Sequence, residues 1–302
     1  MENAFFYALT SLIWGSTWLA ITFQLGVVAP EASIVYRFAL AAIVLMVYVA
    51  LRRLPMRFSA RQHGQIALQG LFLFSLNYIL VYLAEQHLTS GLVAIVFSML
   101  ILSNILLGAI FLRNPIRPRV VLGGVIGVLG LALVFWPELG AFAHNGNWQL
   151  GLALSVGAVL CASIGNIVSA GNQRAGLPIV QSNAYGMAYG ALATLVIALL
   201  RGVPFTFEPT TGYVLSLLYL AVFGSVVAFG TYLTLIGRLG VDRAAYIGVI
   251  FPLVAILLST LFEGLSLGTL GLAGVALVVA GNVLVLNRRR AAAPVAPATP
   301  AA

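Results

Sequence analysis

Charge is what this chain lacks most. Only 7% of its 302 residues are Asp, Glu, Lys or Arg, against about 25% in a soluble domain. Water could not wet such a surface on every side, which excludes an ordinary globular protein. Lysine is absent, and all 15 basic residues are arginine against seven acids, a net charge of +8. On a soluble domain that balance would point to nucleic acid. Here the arginines sit between long apolar runs, and no nucleic-acid partner is expected. The lone Cys161 excludes a disulfide framework and a multi-thiolate metal site.

What is present is hydrophobic length. Uncharged stretches cover Asn3–Leu25, Ile66–Ala84, Leu88–Leu112, Val120–Pro137, Asn147–Gln173, Ala175–Leu200, Pro209–Gly237, Ala244–Phe262 and Gly264–Asn287. A tenth, Ala32–Leu51, is broken only by Arg37. Crossing about 30 Å of hydrocarbon takes roughly 20 helical residues, so the expected fold is all-α and integral to the membrane, with ten spans surrounded by lipid. Little chain remains for a soluble catalytic domain. From Ala291 the tail contains only Ala, Pro, Val and Thr, and residues 288–302 are expected to be disordered.

Arginine placement sets the orientation. Thirteen arginines fall on the face shared by the termini: Arg52, Arg53, Arg57, Arg61, Arg113, Arg117, Arg119, Arg174, Arg238, Arg243, Arg288, Arg289 and Arg290. The opposite face has Arg201 alone. Both termini are therefore expected in the cytoplasm.

The halves repeat. An offset of 151 lays Leu88 over Leu239, Gly123 over Gly274 and Gly130 over Gly281; an offset of 149 lays Ser33 and Tyr36 over Ser182 and Tyr185. Five spans per half, an odd number, invert the second half relative to the first. The expectation is two inverted five-helix repeats, 1–137 and 147–287, around a central cavity, the architecture of alternating-access transporters.

The chain resembles the drug/metabolite transporter superfamily and, within it, the EamA-type exporters. The resemblance is carried by Trp14-Gly15-Ser16-Thr17, Pro30, Arg37-Phe38, Pro252, Phe262-Glu263, Gly271, Gly274 and Gly281. Ile101 opposite Pro252 and Leu112 opposite Glu263 depart from the repeat. The resemblance implies efflux of small metabolites across the bacterial inner membrane, with exporters of amino acids, aromatic ones included, as the nearest look-alikes. A channel, a broader drug/metabolite exporter and an integral-membrane enzyme are the alternatives. The enzyme would need a clustered acid, base or metal set, and the sequence offers none.

Candidate binding residues follow from helical spacing. Phe74, Asn77, Tyr78, Val81, Tyr82 and Glu85 line one face of the third span; Asn77, Tyr78 and Tyr82 offer stacking surface and hydrogen bonds to an amphipathic solute. Asn104 and Asn166 lie deep in their spans and suit interhelical bonding. Ser163 and Asn166 become cavity candidates because the sixth span is the repeat partner of the first. Trp14 and Trp18 sit too deep for an interfacial belt. Phe97, Met99, Tyr232, Tyr246 and Phe251 complete a candidate aromatic wall. Arg37 and Pro252 are assigned to gating or structure: Arg37 through contacts with backbone carbonyls, Pro252 through the carbonyl a proline leaves free one turn earlier.

The titratable residues complete the expectation. His63, His87 and His144 fall in loops, so neither a cofactor nor a metal is expected. All seven acids fall in loops or at span ends, and a cavity without charge favours a neutral or zwitterionic solute. Glu85 and Glu263, open to water at span ends, would stay ionised, which points to facilitated rather than proton-driven movement.

Overall fold

A computed structural model describes residues 2–112, 116, 118–141, 147–240, 244 and 247–286. Among them there is no β-strand; the chain is a succession of helices. These are α1 (Glu2–Thr22), α2 (Pro30–Leu51), α3 (Ala60–Ala84), α4 (Ser90–Phe97 and Leu100–Leu112), α5 (Pro118–Ala141), α6 (Trp148–Arg174), α7 (Ile179–Leu200), α8 (Thr211–Leu239), α9 (Ile247–Phe262) and α10 (Thr269–Leu286). Seven helices among the described residues are long and apolar enough to cross a membrane: α1 to α4 and α6 to α8. Three shorter apolar stretches, Val121–Trp136, Ile247–Phe262 and Thr269–Leu284, belong to α5, α9 and α10. Asp242, Arg243, Tyr246 and the tail 288–302 lie outside the described residues.

Local chemistry sets the helix ends. Pro30 opens α2, where its missing N–H costs nothing. Ser59 and Gln62 form a reciprocal capping box that starts α3 six residues before its apolar run. His63 consequently lies in the first turn of α3 rather than in a loop, with its Nδ1 2.8 Å from the Tyr189 hydroxyl. Gly240 ends α8 at a φ of 86°, open to glycine without strain. Two helices change pitch midway. Leu71–Leu76 in α3 and Leu220–Val227 in α8 are π-helical, and Leu71 and Leu220 stand at the offset that lays Ser33 over Ser182.

The principal packing partners are α5 with α10, α3 with α6, α2 with α7 and α3 with α7. Glycines set the closest approaches. A Cβ on Gly130 would lie 2.7 Å from the Gly274 carbonyl oxygen, and one on Gly281 2.5 Å from that of Gly123. Residue numbers rise along α5 as they fall along α10, so the pair is antiparallel. Likewise Gly190 meets Gly70 and Phe74 of α3. Outward faces are apolar, with Leu51, Ile110, Leu200, Leu261 and Phe262 strongly exposed. Lipid is the solvent such faces require.

Candidate functional site: an aromatic cavity

Six helices, α1, α3, α4, α6, α8 and α9, surround a cavity that, with its mouth, holds about 570 Å³ of empty space. From α1 come Trp14, Thr17, Trp18 and Ile21, at the i, i+3, i+4, i+7 spacing of one helix face. Leu73, Asn77, Tyr78 and Val81 enter from α3, Phe97 and Leu100 from α4. The wall is closed by Ala162 and Asn166 of α6, Phe229 and Tyr232 of α8, and Phe251 of α9. Seven of these fifteen residues are aromatic and none is charged.

The rings interlock. Trp14 stands edge-on to Phe229 at 5.1 Å between centroids and tilts against Tyr232 at 4.8 Å. Trp18 tilts against Phe97 at 4.8 Å and stacks on Phe251 at 5.9 Å. Such pairs hold their geometry because ring edges are positive and faces negative. The polar atoms are few and only partly used. Trp14 Nε1 donates to the Gly224 carbonyl, and Asn166 Nδ2 donates to the Tyr232 hydroxyl at 3.2 Å. Trp18 Nε1, Asn77 Oδ1 and Asn166 Oδ1 are buried with no hydrogen-bond partner among the described residues. One donor and two acceptors on wall residues are therefore unpaired behind the surface of an apolar cavity, where a side-chain rotation is needed to bring them to a ligand.

Several expected residues lie elsewhere. Tyr82 is fully buried and does not line the cavity. One turn of helix separates it from Tyr78, and neighbouring helices cover it. Ser163 is buried away from the void, which its neighbour Ala162 reaches instead. Met99 falls at the break of α4, where its Sδ lies 3.6 Å from the Cβ position of Gly127 on α5. Pro252 lines a separate cleft of about 240 Å³ with Ser98, Gly248 and Asn282. Sequence reasoning assigned no site role to Thr17, Ile21 or Phe229, and left Trp18 undecided. Helical spacing from Trp14 and from Tyr232 was the signal that reaches them.

Among the described residues Arg37 bonds side-chain hydroxyls, not backbone carbonyls. It is 1% exposed; its Nε donates to Ser225 Oγ at 3.0 Å and its Nη2 to the Tyr78 hydroxyl at 3.4 Å. Its guanidinium lies 4.4 Å from the centre of the Tyr78 ring. An arginine at the bilayer centre costs roughly 2.5–3.5 kcal/mol; cation–π contact and the serine hydroxyl offset part of that. Arg37 thus braces Tyr78 from behind the cavity wall.

Charged groups gather at the helix ends. At the arginine-rich end Arg238 of α8 holds Glu2 of α1 at 3.0 Å. At the other end Arg201 pairs with the buried Glu31, and Glu263 accepts hydrogen bonds from the N–H and hydroxyl of Ser90 at the start of α4. Glu85 departs from the expectation of a water-exposed carboxylate. It is 8% exposed, and neither carboxyl oxygen has a partner among the described residues. Burial, reinforced by the neighbouring Glu263, pushes its carboxyl well above the usual range, against the opposing pull of Arg37. The ground for expecting purely facilitated movement is thereby removed. No group of three or more metal-ligating side chains occurs among the described residues.

A lipid-facing helical bundle around an uncharged aromatic void defines a membrane protein built to hold a small solute. The chain belongs to the EamA-like transporter family, whose model matches residues 3–136 and again 149–287. It is a membrane transporter of the drug/metabolite superfamily. It is 25% identical to Protein PagO of Salmonella typhimurium over 284 residues, 94% of this chain and 92% of that one. To the uncharacterized inner membrane transporter YedA of Escherichia coli K12 it is 28% identical over 280 residues, 91% and 87% of the two chains. One solved crystal structure shares the fold with a TM-score of 0.70 at 18% identity, covering 93% of this chain and 95% of its own.

Proposed function

We propose that this protein exports neutral or zwitterionic small metabolites, amino acids with aromatic side chains foremost, by alternating access across a bacterial inner membrane. The observation that carries this is the cavity: seven aromatic residues, three unpartnered polar atoms and no charge. Aromatic solutes stack on such walls, whereas a phosphorylated or multiply charged solute would lack a counter-charge there. The protein carries its solute unchanged and is not an enzyme.

The mechanism is an exchange between two inverted five-helix repeats, 1–137 and 147–287. The family model's two matches support it. So does the α5–α10 contact, in which Gly130 meets Gly274 and Gly123 meets Gly281, the repeat mates exchanged. A two-fold interface has this self-complementary form. The cavity helices α1, α3 and α4 also have α6, α8 and α9 as their repeat partners. The name of YedA supports the inner membrane, and the thirteen arginines support cytoplasmic termini.

The test is counterflow in proteoliposomes, screened across all neutral amino acids. Saturable exchange strongest for phenylalanine, tyrosine or tryptophan is expected. Flux that neither saturates nor shows counterflow would identify a channel instead.

A further inference from the structure

Glu85 is the buried titratable group that solute binding leaves unused. It caps the C-terminus of α3, just beyond its last helical residue Ala84. Glu263, just beyond the end of α9, Arg37 of α2 and Tyr82 of α3 lie within electrostatic reach. Glu263 is bonded to Ser90 and Arg37 to Ser225 and Tyr78, while Arg37 Nη1 and the Tyr82 hydroxyl are buried without a partner among the described residues; none of them donates to Glu85. A carboxylate sealed beside another carboxylate, with no donor to either of its oxygens, is unfavourable; the neutral acid is the form this packing accommodates.

We propose that Glu85 is a proton-binding site, loaded as the arginine-poor end of the bundle closes, and that solute export is exchanged against protons through it. The proposal rests on the transporter reading above. A Glu85 oxygen takes up one proton to give the neutral acid, and no other bond changes. When the bundle opens at this end, water reaches the carboxyl, whose proton affinity returns towards its reference of about 4.3. Protonation therefore differs between the two conformations, which is the condition for linkage. Tyr82 and Tyr78 continue the same face of α3 from Glu85, and Tyr78 lines the cavity. That phenol pair is the route by which the proton leaves once solute occupies the inward-open cavity against Tyr78 and displaces it.

Two measurements test this. The first needs no solute: the infrared spectrum of the purified protein at neutral pH, wild type minus Glu85→Gln. A protonated carboxylic-acid carbonyl band in the difference supports the site; a carboxylate band in its place overturns it. The second uses proteoliposomes with phenylalanine as the probe, with the arginine-poor side made more acid by one pH unit. One-for-one exchange sustains up to about a tenfold solute gradient per pH unit. Glu85→Gln, which mimics the neutral acid, should keep counterflow and lose that gradient. Tyr82→Phe should slow gradient-driven transport more than counterflow. Wild-type counterflow indifferent to the pH gradient overturns coupling and leaves the transporter reading intact. Absence of phenylalanine counterflow counts against the solute assignment alone, and the infrared band still decides the proton site.

Discussion

Trp18→Ala separates solute recognition from packing. The indole borders the cavity between Phe97 and Phe251, and its Nε1 has no partner among the described residues. An aromatic solute beside it gains an aromatic pair worth about 0.5–1.5 kcal/mol beyond area burial. Losing that pair weakens apparent affinity by roughly two- to twelvefold, at about 1.4 kcal/mol per factor of ten. A small aliphatic solute makes no such pair and should lose much less. Tyr82→Ala is the contrasting variant, because Tyr82 is fully buried off the cavity. Removing a ring from a packed site costs about 3–5 kcal/mol of stability, with no expected change in selectivity. The assay is half-saturation in counterflow for phenylalanine and for alanine, alongside thermal unfolding in detergent. Parallel loss of both solutes in Trp18→Ala, tracking lowered thermal stability, would refute the assignment of Trp18 to the binding wall.

Four further outcomes are expected. Gly130→Ala places a methyl 2.7 Å from the Gly274 carbonyl and should cost about 1–3 kcal/mol as α5 and α10 move apart. Gly171→Ala, with nothing within 4 Å of its Cβ position, should unfold at or above the wild-type temperature. In a protein with Cys161 replaced, an impermeant thiol reagent on intact cells should label Pro209→Cys and spare Gly64→Cys; the reverse pattern would invert the topology. Stability should also depend on pH through Glu85. Its raised proton affinity in the fold means that the folded chain keeps a proton the unfolded chain releases above about pH 4.3. That contribution is complete below the ordinary carboxylate range and fades as pH climbs towards the raised value. The unfolding temperature should therefore fall with rising pH, and Glu85→Gln should flatten the slope.

Part of the candidate wall was legible in α1 and α3, where Trp14, Asn77 and Tyr78 announce an inward face by residue type and depth. Less legible were residues with no polar or aromatic neighbour on their own helix to mark the face. Phe97, Tyr232 and Phe251 were named only as parts of a generic aromatic wall; Met99, named on the same grounds, and Ser163, named because the sixth span is the repeat partner of the first, fall outside the cavity. Arg37 was visible as an anomaly from its charge alone. Its partners Ser225 and Tyr78 belong to other helices and carry no mark of it in sequence.

Transfer from water to lipid is a sum over local residues, so composition and run length sufficed for the membrane class and for the helices. Glycine spacing likewise announced close approach, because a missing Cβ is a local property. Tertiary structure decided what each helix face meets. Tyr78 and Tyr82 share a face of α3 by spacing, yet one opens on the cavity and the other is covered by neighbouring helices. Glu85 reads as the water-exposed end of a span until the packed bundle buries it within electrostatic reach of Glu263. Burial and electrostatic environment arise from residues distant in the chain, and no spacing along a single helix encodes them.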